Sequence, residues 1–423
     1  MMTNTYAPYF GGVDKSIRTF TQCFREKGHQ VLIVAPKADQ DYKEEGVVRV
    51  SAIKNFNDIG FPATLPLPGS LHKHIEKFQP EIVHSHFPFL IGSTAMRIAA
   101  RYDLPLVFTY HTMYERYIHN VNLTSDRVRQ FVITFTKGYA NLCDQVIAPS
   151  NSVADVLRKR GVKTPITVIP TGVDTDKYAQ GDGARFRQQV GLDPDDFVVG
   201  HVGRLAEEKN LKFLCQSAKK FLQAKPDAKL LIVGDGPSRK NLESLFDGTD
   251  VADRAVFAGM KSDQDLIDSY HAADVFAFSS LTETQGMVLA EAMAAGCPVV
   301  ALKAPGVNDV LEHGSNGYLL EEDSDCDRFA RMLSKYHDLS EDEKGSMRSA
   351  ARQTAEDYSM NNCSDKMLAE YESVLSHKRR DPEKRERNWT LLLESLKAEW
   401  DLFLKYANAA GEMFSSHATV EER

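Results

Sequence analysis

Two stretches in the second half of the 423-residue chain carry side chains suited to holding an anionic leaving group. GRLAEEKN (203–210) places Arg204 and Lys209 just after an expected strand end, where both could clamp a diphosphate. Two cations there would neutralise a departing nucleotide without a metal. LTETQGMVLAEAMAAGCPVVAL (281–302) sets Glu283 and Glu291 eight residues apart around Gly286. The segment after the glycine reads as a helix, so the first N–H groups, on Gly286, Met287 and Val288, would face an anion. Glu291 falls about a turn and a half inside that helix and Glu283 precedes it. One carboxylate could reach a ribose while the other reaches a sugar. Gly11-Gly12 ends a short N-terminal run ahead of a first helix, where glycine lets backbone N–H groups approach an anion. Singly, these features also fit a solvated loop, two surface carboxylates and a tight turn.

Other motifs are less productive. LLIVGDGP (230–237) contains only G-x-G, without a third glycine or a ribose-binding acid at the expected distance, which argues against a dinucleotide dehydrogenase. His84 and His86 in HSHF could suggest a metal, but no third ligand is evident, so they are expected at a strand end lining a cleft. No Asp-x-Asp motif is placed to bind a divalent ion, and no cofactor is expected.

These residues must be positioned by the alternation of short β-branched runs with helical stretches. QVLIVAP (30–36), EIVHSH (81–86), LVFTYH (106–111), QVIAPS (145–150) and ITVIP (166–170) are strand candidates in the first half. In DKSIRTFTQCFREKG (14–28), Ile17, Phe20 and Phe24 recur at helical spacing, with Gly28 as a stop. The rhythm restarts with FVVGHVG (197–203), AKLLIVG (228–234), RAVFAG (254–259), VFAFSS (275–280) and PVVAL (298–302). Near-continuous apolar strands separated by helices indicate parallel sheets covered on both faces. The spacing therefore predicts an α/β chain of two doubly wound domains, with ligands held at the carboxyl ends of the strands in the cleft between them.

Composition agrees with that size and class. Hydrophobic residues are 42% and charged residues 26%, which excludes wholesale disorder and collagen-like order. No apolar run approaches the roughly 18 residues of a membrane span, and MMTNTYAPYF lacks the basic start and apolar core of a signal peptide. The six cysteines are far apart with no C-x-x-C pair and read as reduced core thiols of a cytosolic protein. The net charge of -8 is uneven: residues 1–180 hold 21 Lys+Arg against 16 Asp+Glu, so the acidic excess lies wholly beyond them. A basic half joined to an acidic half argues for two bodies with different partners. No array of stacking and basic residues supports nucleic-acid binding.

Together, the E-x7-E pattern of Glu283 and Glu291, GRLAEEK, GDGP and FAGMKSDQDLIDSYHAADVFAFSS resemble the retaining family-4 glycosyltransferases from about residue 3 to about residue 375. The resemblance implies the GT-B architecture, two Rossmann-like domains facing a central cleft. It implies an acceptor-binding domain over 1–172, a linker over 173–195 and a nucleotide-sugar domain over 196–358. A helix over 359–376 then crosses back to the first domain, and a basic and amphipathic helical tail fills 377–423. It further implies that Arg204 and Lys209 hold the donor diphosphate, helped by the amides of Gly12, Met287 and Val288. Glu291 would bind the ribose, Glu283 the hydroxyls of the transferred sugar, and Met260 would lie against the base. His111 in TYHTMYERYIHNV (109–121) matches the family histidine beside the reacting face of the sugar. The H-T-M-Y-E-x-Y stretch and ETQG resemble bacterial glucosyltransferases that build glycolipids on diacylglycerol, implying UDP-glucose as donor. The family begins with a full apolar strand running into T-D-T-Y-x-P, so a few residues of the first strand are expected to be missing here, weakening the sheet beside Gly11-Gly12.

A lipid acceptor and a peripheral place on the cytoplasmic face of an anionic membrane draw on an apolar loop and a basic-and-apolar segment. NFNDIGFPATLPLPG (55–69) is unusually apolar for a loop, and RVRQFVITFTKG (127–138) mixes Arg127, Arg129 and Lys137 with Phe131 and Phe135. The latter fits equally an amphipathic helix packed on its own sheet. In the tail, HKRRDPEKRER (377–387) carries six Lys/Arg against three Asp/Glu. Trp389, Leu393, Leu396, Trp400, Phe403 and Ala407 then form one helical stripe. That stripe suits a headgroup anchor, self-association through 389–407, or docking on the donor domain. The alternatives to a lipid glucosyltransferase are a GT-B enzyme with a soluble sugar or sugar-phosphate acceptor, and an inactive scaffold that binds nucleotide sugar.

Overall fold

Runs of three to six apolar residues become strands wherever both faces are covered, and the central strands β1, β5, β6, β7, β12 and β13 are buried along their length, whereas β2, β8 and β11 are largely half-buried. The computed structural model describes residues 1–8, 11–37, 44–50, 52–53, 63–64, 69–114, 126–281 and 283–377, with 383, 387–391 and 394 from the tail. In the first domain α1 (Gly12–Glu26) leads to β1 (Ile33–Pro36), β2 (Val47–Val50) and the short pair β3 (Ala52–Ile53) and β4 (Ala63–Thr64). There follow α2 (Gly69–Phe78), β5 (Val83–Ser85), α3 (Ile91–Arg101), β6 (Leu106–Thr109) and α4 (Asp126–Leu142). The domain ends with β7 (Gln145–Ala148), α5 (Asn151–Lys159) and β8 (Ile166–Val168). Ile17, Phe20 and Phe24 are buried on one face of α1, as their spacing predicts, and Gly28 turns the chain at φ +88°.

The strands β5-β6-β7-β8 are parallel, and β1-β2 form a second parallel pair. Met2 joins the two by single bridges to Val34 and Ser85. The sheet beside Gly11-Gly12 is thus carried by one residue rather than by a full strand. The sequence pattern did not yield β2, because VVRV alternates too briefly to separate from a loop.

The segment 173–195, expected as a linker, has helices of its own. It folds into α6 (Thr175–Tyr178) and α7 (Gly183–Val190), each with an aspartate N-cap, Asp174 and Asp182. Asp182 and Asp174 accept from backbone N–H groups three residues on, which is what starts a helix in so polar a stretch.

The second domain runs β9 (Phe197–Val202), α8 (Leu211–Ala224), β10 (Ala228–Val233), α9 (Arg239–Glu243), β11 (Ala255–Gly259) and α10 (Asp263–His271). It continues with β12 (Val275–Phe278), α11 (Met287–Ala294), β13 (Val299–Leu302), α12 (Val307–Val310) and β14 (Gly317–Leu320). Then come α13 (Cys326–His337), α14 (Glu341–Asp357) and α15 (Met360–Ser376). The six parallel strands take the order β11-β10-β9-β12-β13-β14, so the winding reverses between β9 and β12. Segment α7 packs on this domain: Arg185 donates to Asp265 at 2.6 Å and to buried Asp268 at 2.8 Å, and Arg187 to Asp274 at 2.9 Å. These pairs fix the segment on the second domain. Both sheets and their helices give the GT-B architecture.

The chain leaves the first domain and returns to it at one point. Val173 N–H donates to Tyr358 O and Met360 N–H to Val173 O, each at 2.8 Å. Gly172 (φ +88°) lies so close that a Cβ there would sit 2.6 Å from the Met360 Cα. Helix α15 then docks against α1 and β8: Lys27 pairs with Asp365, Thr167 donates to Glu370 at 3.0 Å, and Cys363 and Met367 pack with Phe20 and Phe24. Cys23, Cys143, Cys215, Cys297 and Cys363 are buried, Cys326 is partly so, and all six are free.

The tail corrects an expectation. Trp389 does not reach the donor domain or face outward. It is 2% exposed in the core of the first domain, edge-on to Phe135 at 5.9 Å and to Tyr139 at 5.7 Å. Phe135 itself stacks on Phe89 at 4.8 Å, so the apolar face of α4 turns inward. Trp400 and most of the stripe, and most of loop 55–69, lie outside the described residues. No described helix is long and apolar enough to cross a membrane. Truncating a buried tryptophan costs about 3–5 kcal/mol. Trp389→Ala should therefore lower the urea-unfolding free energy of the full chain by that order, and a loss below about 0.5 kcal/mol, the range of surface substitutions, would show that the tail is not docked.

Candidate active site

In an open parallel sheet the loops leaving two neighbouring strands diverge at the point where the winding reverses, and a crevice opens there. In the second domain that point lies between β9 and β12. GRLAEEKN follows β9 and LTETQG follows β12, so the topology brings the two stretches to one crevice although about 75 residues separate them in the chain. Lys209 Nζ lies 3.4 Å from Glu283 Oε2. Ser279 Oγ donates to Asn210 O at 3.0 Å, and Asn210 returns a bond to Ser279 O at 3.2 Å, which pins the β9 loop to the end of β12. Arg204 is two-thirds exposed and pairs with Glu208, a contact a competing diphosphate can replace.

Helix α11 begins at Met287 with Gly286 as its N-cap, and no side chain caps it. Its first N–H groups, those of Met287 and Val288 included, therefore have no side-chain cap and could receive an anion. Gly286 sits at φ +69°, and a Cβ would meet Gly306 O at 2.8 Å, so internal packing alone accounts for this glycine. Gly11 and Gly12 differ. Gly11 is extended (φ -170°), and a Cβ on either residue would meet nothing within 4 Å. Nothing internal requires glycine there; the bare surface in front of α1 suits close approach of a ligand.

The first domain reverses its winding at the same place relative to its own sheet, between the Met2 segment and β5, where α1 and His86 emerge. Lys15, in the first turns of α1, crosses the cleft and pairs with Glu291 Oε1. Tyr270 donates to Glu291 Oε2 at 2.7 Å, and the Lys15 ammonium lies 5.9 Å from the Tyr178 ring centre. Burial, then the Glu291 charge, push the Tyr270 phenol well above its ordinary range, so it remains a donor. Glu291, expected to bind a ribose, is thus already held by three side chains from three elements. Gln285 Oε1 accepts from Thr171 N–H at 3.1 Å, a second bond between the domains.

His111 ends the run after β6. Its carbonyl accepts from Thr284 of the opposite domain at 3.5 Å, which places it beside Glu283. His111 is 6% exposed, and burial lowers its pKa to about 3, so it is neutral. Burial drives His84 and His86 below the ordinary value as well. His86 Nδ1 is 2.9 Å from His111 Nε2, and His84 contacts Thr109 at 2.7 Å and Tyr371 at 2.5 Å.

The structure thus gathers Lys209 with Glu283, His111 with Thr284, and Glu291 with the α1 end that carries Gly11 and Gly12. Met260 stands 76% exposed after β11, apart from these contacts. Sequence reasoning assigned no role to Lys15, Tyr270, Tyr178 or Gln285, although Tyr270 and Gln285 lie inside the quoted FAGMKSDQDLIDSYHAADVFAFSS and ETQG stretches and Lys15 stands three residues past Gly12. Among the described residues no three His, Cys, Asp or Glu side chains gather to hold a metal. A cavity of about 230 Å³, lined by Leu32, Val83, Leu368 and Tyr371, lies at the opposite ends of the strands.

Comparison with known proteins bears on this geometry. A family model described as Glycosyltransferase Family 4 matches residues 10–177, and one described as Glycosyl transferases group 1 matches residues 182–355. The chain is 28% identical over 335 residues to the alpha-monoglucosyldiacylglycerol synthase of Streptococcus pneumoniae, covering 75% of this chain and 74% of that one. It is also 28% identical over 334 residues to a GDP-mannose-dependent alpha-mannosyltransferase of Corynebacterium glutamicum, covering 76% of each. Among solved structures, HepE of Anabaena in complex with UDP superposes with a TM-score of 0.69 at 21% identity, over 88% of this chain and 98% of that one.

The buried neutral histidines give the fold a pH signature. Between the value of about 3 in the folded state and 6.5 in the unfolded one, the unfolded chain binds the extra proton at His111. The stability is complete above pH 6.5 and is lost as pH falls toward 3, by about 1.4 kcal/mol per pH unit for each histidine fully shifted. Denaturant unfolding from pH 7 to 4.5 should show this decline, and His111→Asn should flatten it by about one such share; an unchanged slope would exclude a neutral buried His111.

Proposed function

This chain belongs to the family-4 glycosyltransferases, and we propose that it transfers glucose from UDP-glucose, with retention, to a hydroxyl of a lipid acceptor such as diacylglycerol. The observation that carries the transferase reading is the crevice between β9 and β12. There the loop that carries Arg204 and Lys209 meets, through the Lys209–Glu283 pair, the loop that leads into the uncapped start of α11. Cleaving a nucleotide sugar separates an oxocarbenium-like sugar from a diphosphate, so cations and N–H groups placed in advance lower the barrier more than a nucleophile would. Arg204 leaves Glu208 and Lys209 turns from Glu283 to take the diphosphate, with the Met287 and Val288 amides at its oxygens. Glu283, released, accepts hydroxyl protons of the sugar. Glu291 accepts the ribose hydroxyls while Tyr270 and Lys15 hold its carboxylate in place. The bond from the anomeric carbon to the diphosphate oxygen breaks, the acceptor oxygen bonds to the same face, and its proton passes to the departing phosphate. This route needs no metal.

Glucose and diacylglycerol rest on the H-T-M-Y-E-x-Y and ETQG stretches and on the glucolipid synthase among the relatives; UDP is the nucleotide bound by the Anabaena protein. A second reading, a soluble sugar or sugar-phosphate acceptor, is favoured by the inward packing of Phe135 and Trp389, two of the side chains that would otherwise meet a membrane. Turnover over a panel of donors, with diacylglycerol micelles against soluble sugars as acceptor, decides between them. UDP-glucose with diacylglycerol should give an α-linked product by its anomeric proton coupling. Arg204→Ala and Lys209→Ala should each lower kcat by about 100- to 1000-fold. Unchanged donor-dependent turnover in Arg204→Ala and Glu283→Ala would sink the assignment, and a β-linked product would exclude retention.

A further inference from the structure

Three histidines from two adjacent strand ends form one buried column beneath the cleft. His84 and His86 stack at 4.3 Å between ring centres, and His86 and His111 at 5.2 Å. His84 has both ring nitrogens engaged, by Thr109 and by Tyr371 of α15. The other two share a single bond, between His86 Nδ1 and His111 Nε2. His86 Nε2 and His111 Nδ1 are buried and have no partner among the described residues. His86 is 1% exposed and His111 is 6% exposed.

A neutral imidazole carries one N–H and one lone pair, so the shared bond permits two arrangements. If His111 Nε2–H donates, His86 must carry its own proton on Nε2, and a free N–H is sealed in the interior. If His86 Nδ1–H donates, His86 keeps only a bare lone pair on Nε2, and the unpaired N–H falls on His111 Nδ1. A buried N–H without an acceptor is the costlier defect, and His111 is the ring at the domain boundary, where a bound substrate can supply the acceptor. We propose that His86 is a positioning residue that holds His111 in its Nδ1–H form, so that His111 offers a donor rather than a lone pair to an oxygen of the transferred sugar. The second half of this statement rests on the proposed function; the first half does not.

The column also ties this choice to the crossing helix. Tyr371 and Thr109 fix His84, the stacked rings fix the plane of His86, and His86 presents its Nδ1–H to His111. His86 touches no substrate in this scheme and acts only through His111.

Ring-15N histidine spectra of the full chain read the tautomers directly, with His111→Asn and His86→Phe assigning the two resonances. In the wild type both rings should be protonated on Nδ1. In His86→Phe, His111 should shift toward the Nε2–H form that free imidazoles of histidine prefer. His86→Asn, whose side-chain N–H can stand where Nδ1–H stood, should keep the wild-type form. In turnover, His86→Phe should lower kcat about 10- to 100-fold, the loss usual for a partner that orients a functional histidine, with the donor KM changed less than threefold, and His86→Asn should recover most of it. An Nε2–H form of His111 in the wild type overturns the proposal whatever the variants do, and so does a His111 tautomer unaffected by His86→Phe. Were no donor turned over by the wild type, the proposed function would fail while the tautomer spectra still decided the role of His86.

Discussion

An anionic leaving group needs converging positive potential, and everything in this molecule is arranged so that two helix starts meet across one gap. Helix α1 comes from one sheet and α11 from the other, and Lys15 of the first reaches Glu291 of the second. Neither helix start has a side-chain cap. A helix start without a cap leaves its first N–H donors without a side-chain partner, a cost that packing must carry. The cations beside them are held by partners they can exchange: Arg204 by Glu208, Lys209 by Glu283, Lys15 by Glu291.

That meeting depends on how the two domains are fastened. The connection is a double crossing, in which Gly172 passes Met360 at a distance only glycine allows, and α15 then buries Cys363 and Met367 against α1. The linking segment is packed on the second domain by Arg185 and Arg187 rather than left loose. At the crossing itself two backbone bonds tie Val173 to Tyr358 and Met360. Gly11-Gly12 and His111 ride on the first sheet, Arg204 and Lys209 on the second. The tail joins the same body as α1: through Trp389, Phe135 and Phe89 it braces α4, the helix whose basic-and-apolar composition resembled a membrane face. Amphipathic composition describes a helix that has one apolar side; it does not say what that side meets.

Much of this could be read in the sequence. The ten strand candidates all contain strands, since continuous burial on both faces leaves an unbroken apolar run that local pattern exposes directly. Arg204, Lys209, Glu283 and the α11 amides stood out in the sequence beside a strand end and a glycine, and the fold brings Lys209 to Glu283. The missed residues share a physical reason. Lys15 and Gln285 have partners 276 and 114 residues away in the chain, and Tyr270 meets Glu291 from a neighbouring helix, so no local pattern encodes these partners. His84 and His86 were seen, yet as a strand end lining a cleft; their bonds to Tyr371 and His111 arise only when β5, β6 and α15 assemble.

Local pattern therefore determined the element types, the two-domain α/β class and the residue types of the site, because these follow from periodicity and from the chemistry of single side chains. Tertiary structure alone decided that the winding reverses between β9 and β12, so that two distant loops share one crevice. It also decided that Trp389 is a core residue rather than an anchor, and that three histidines form one column. Each of these is a property of which surfaces are brought together, and burial is a property of the assembled chain rather than of any segment in it.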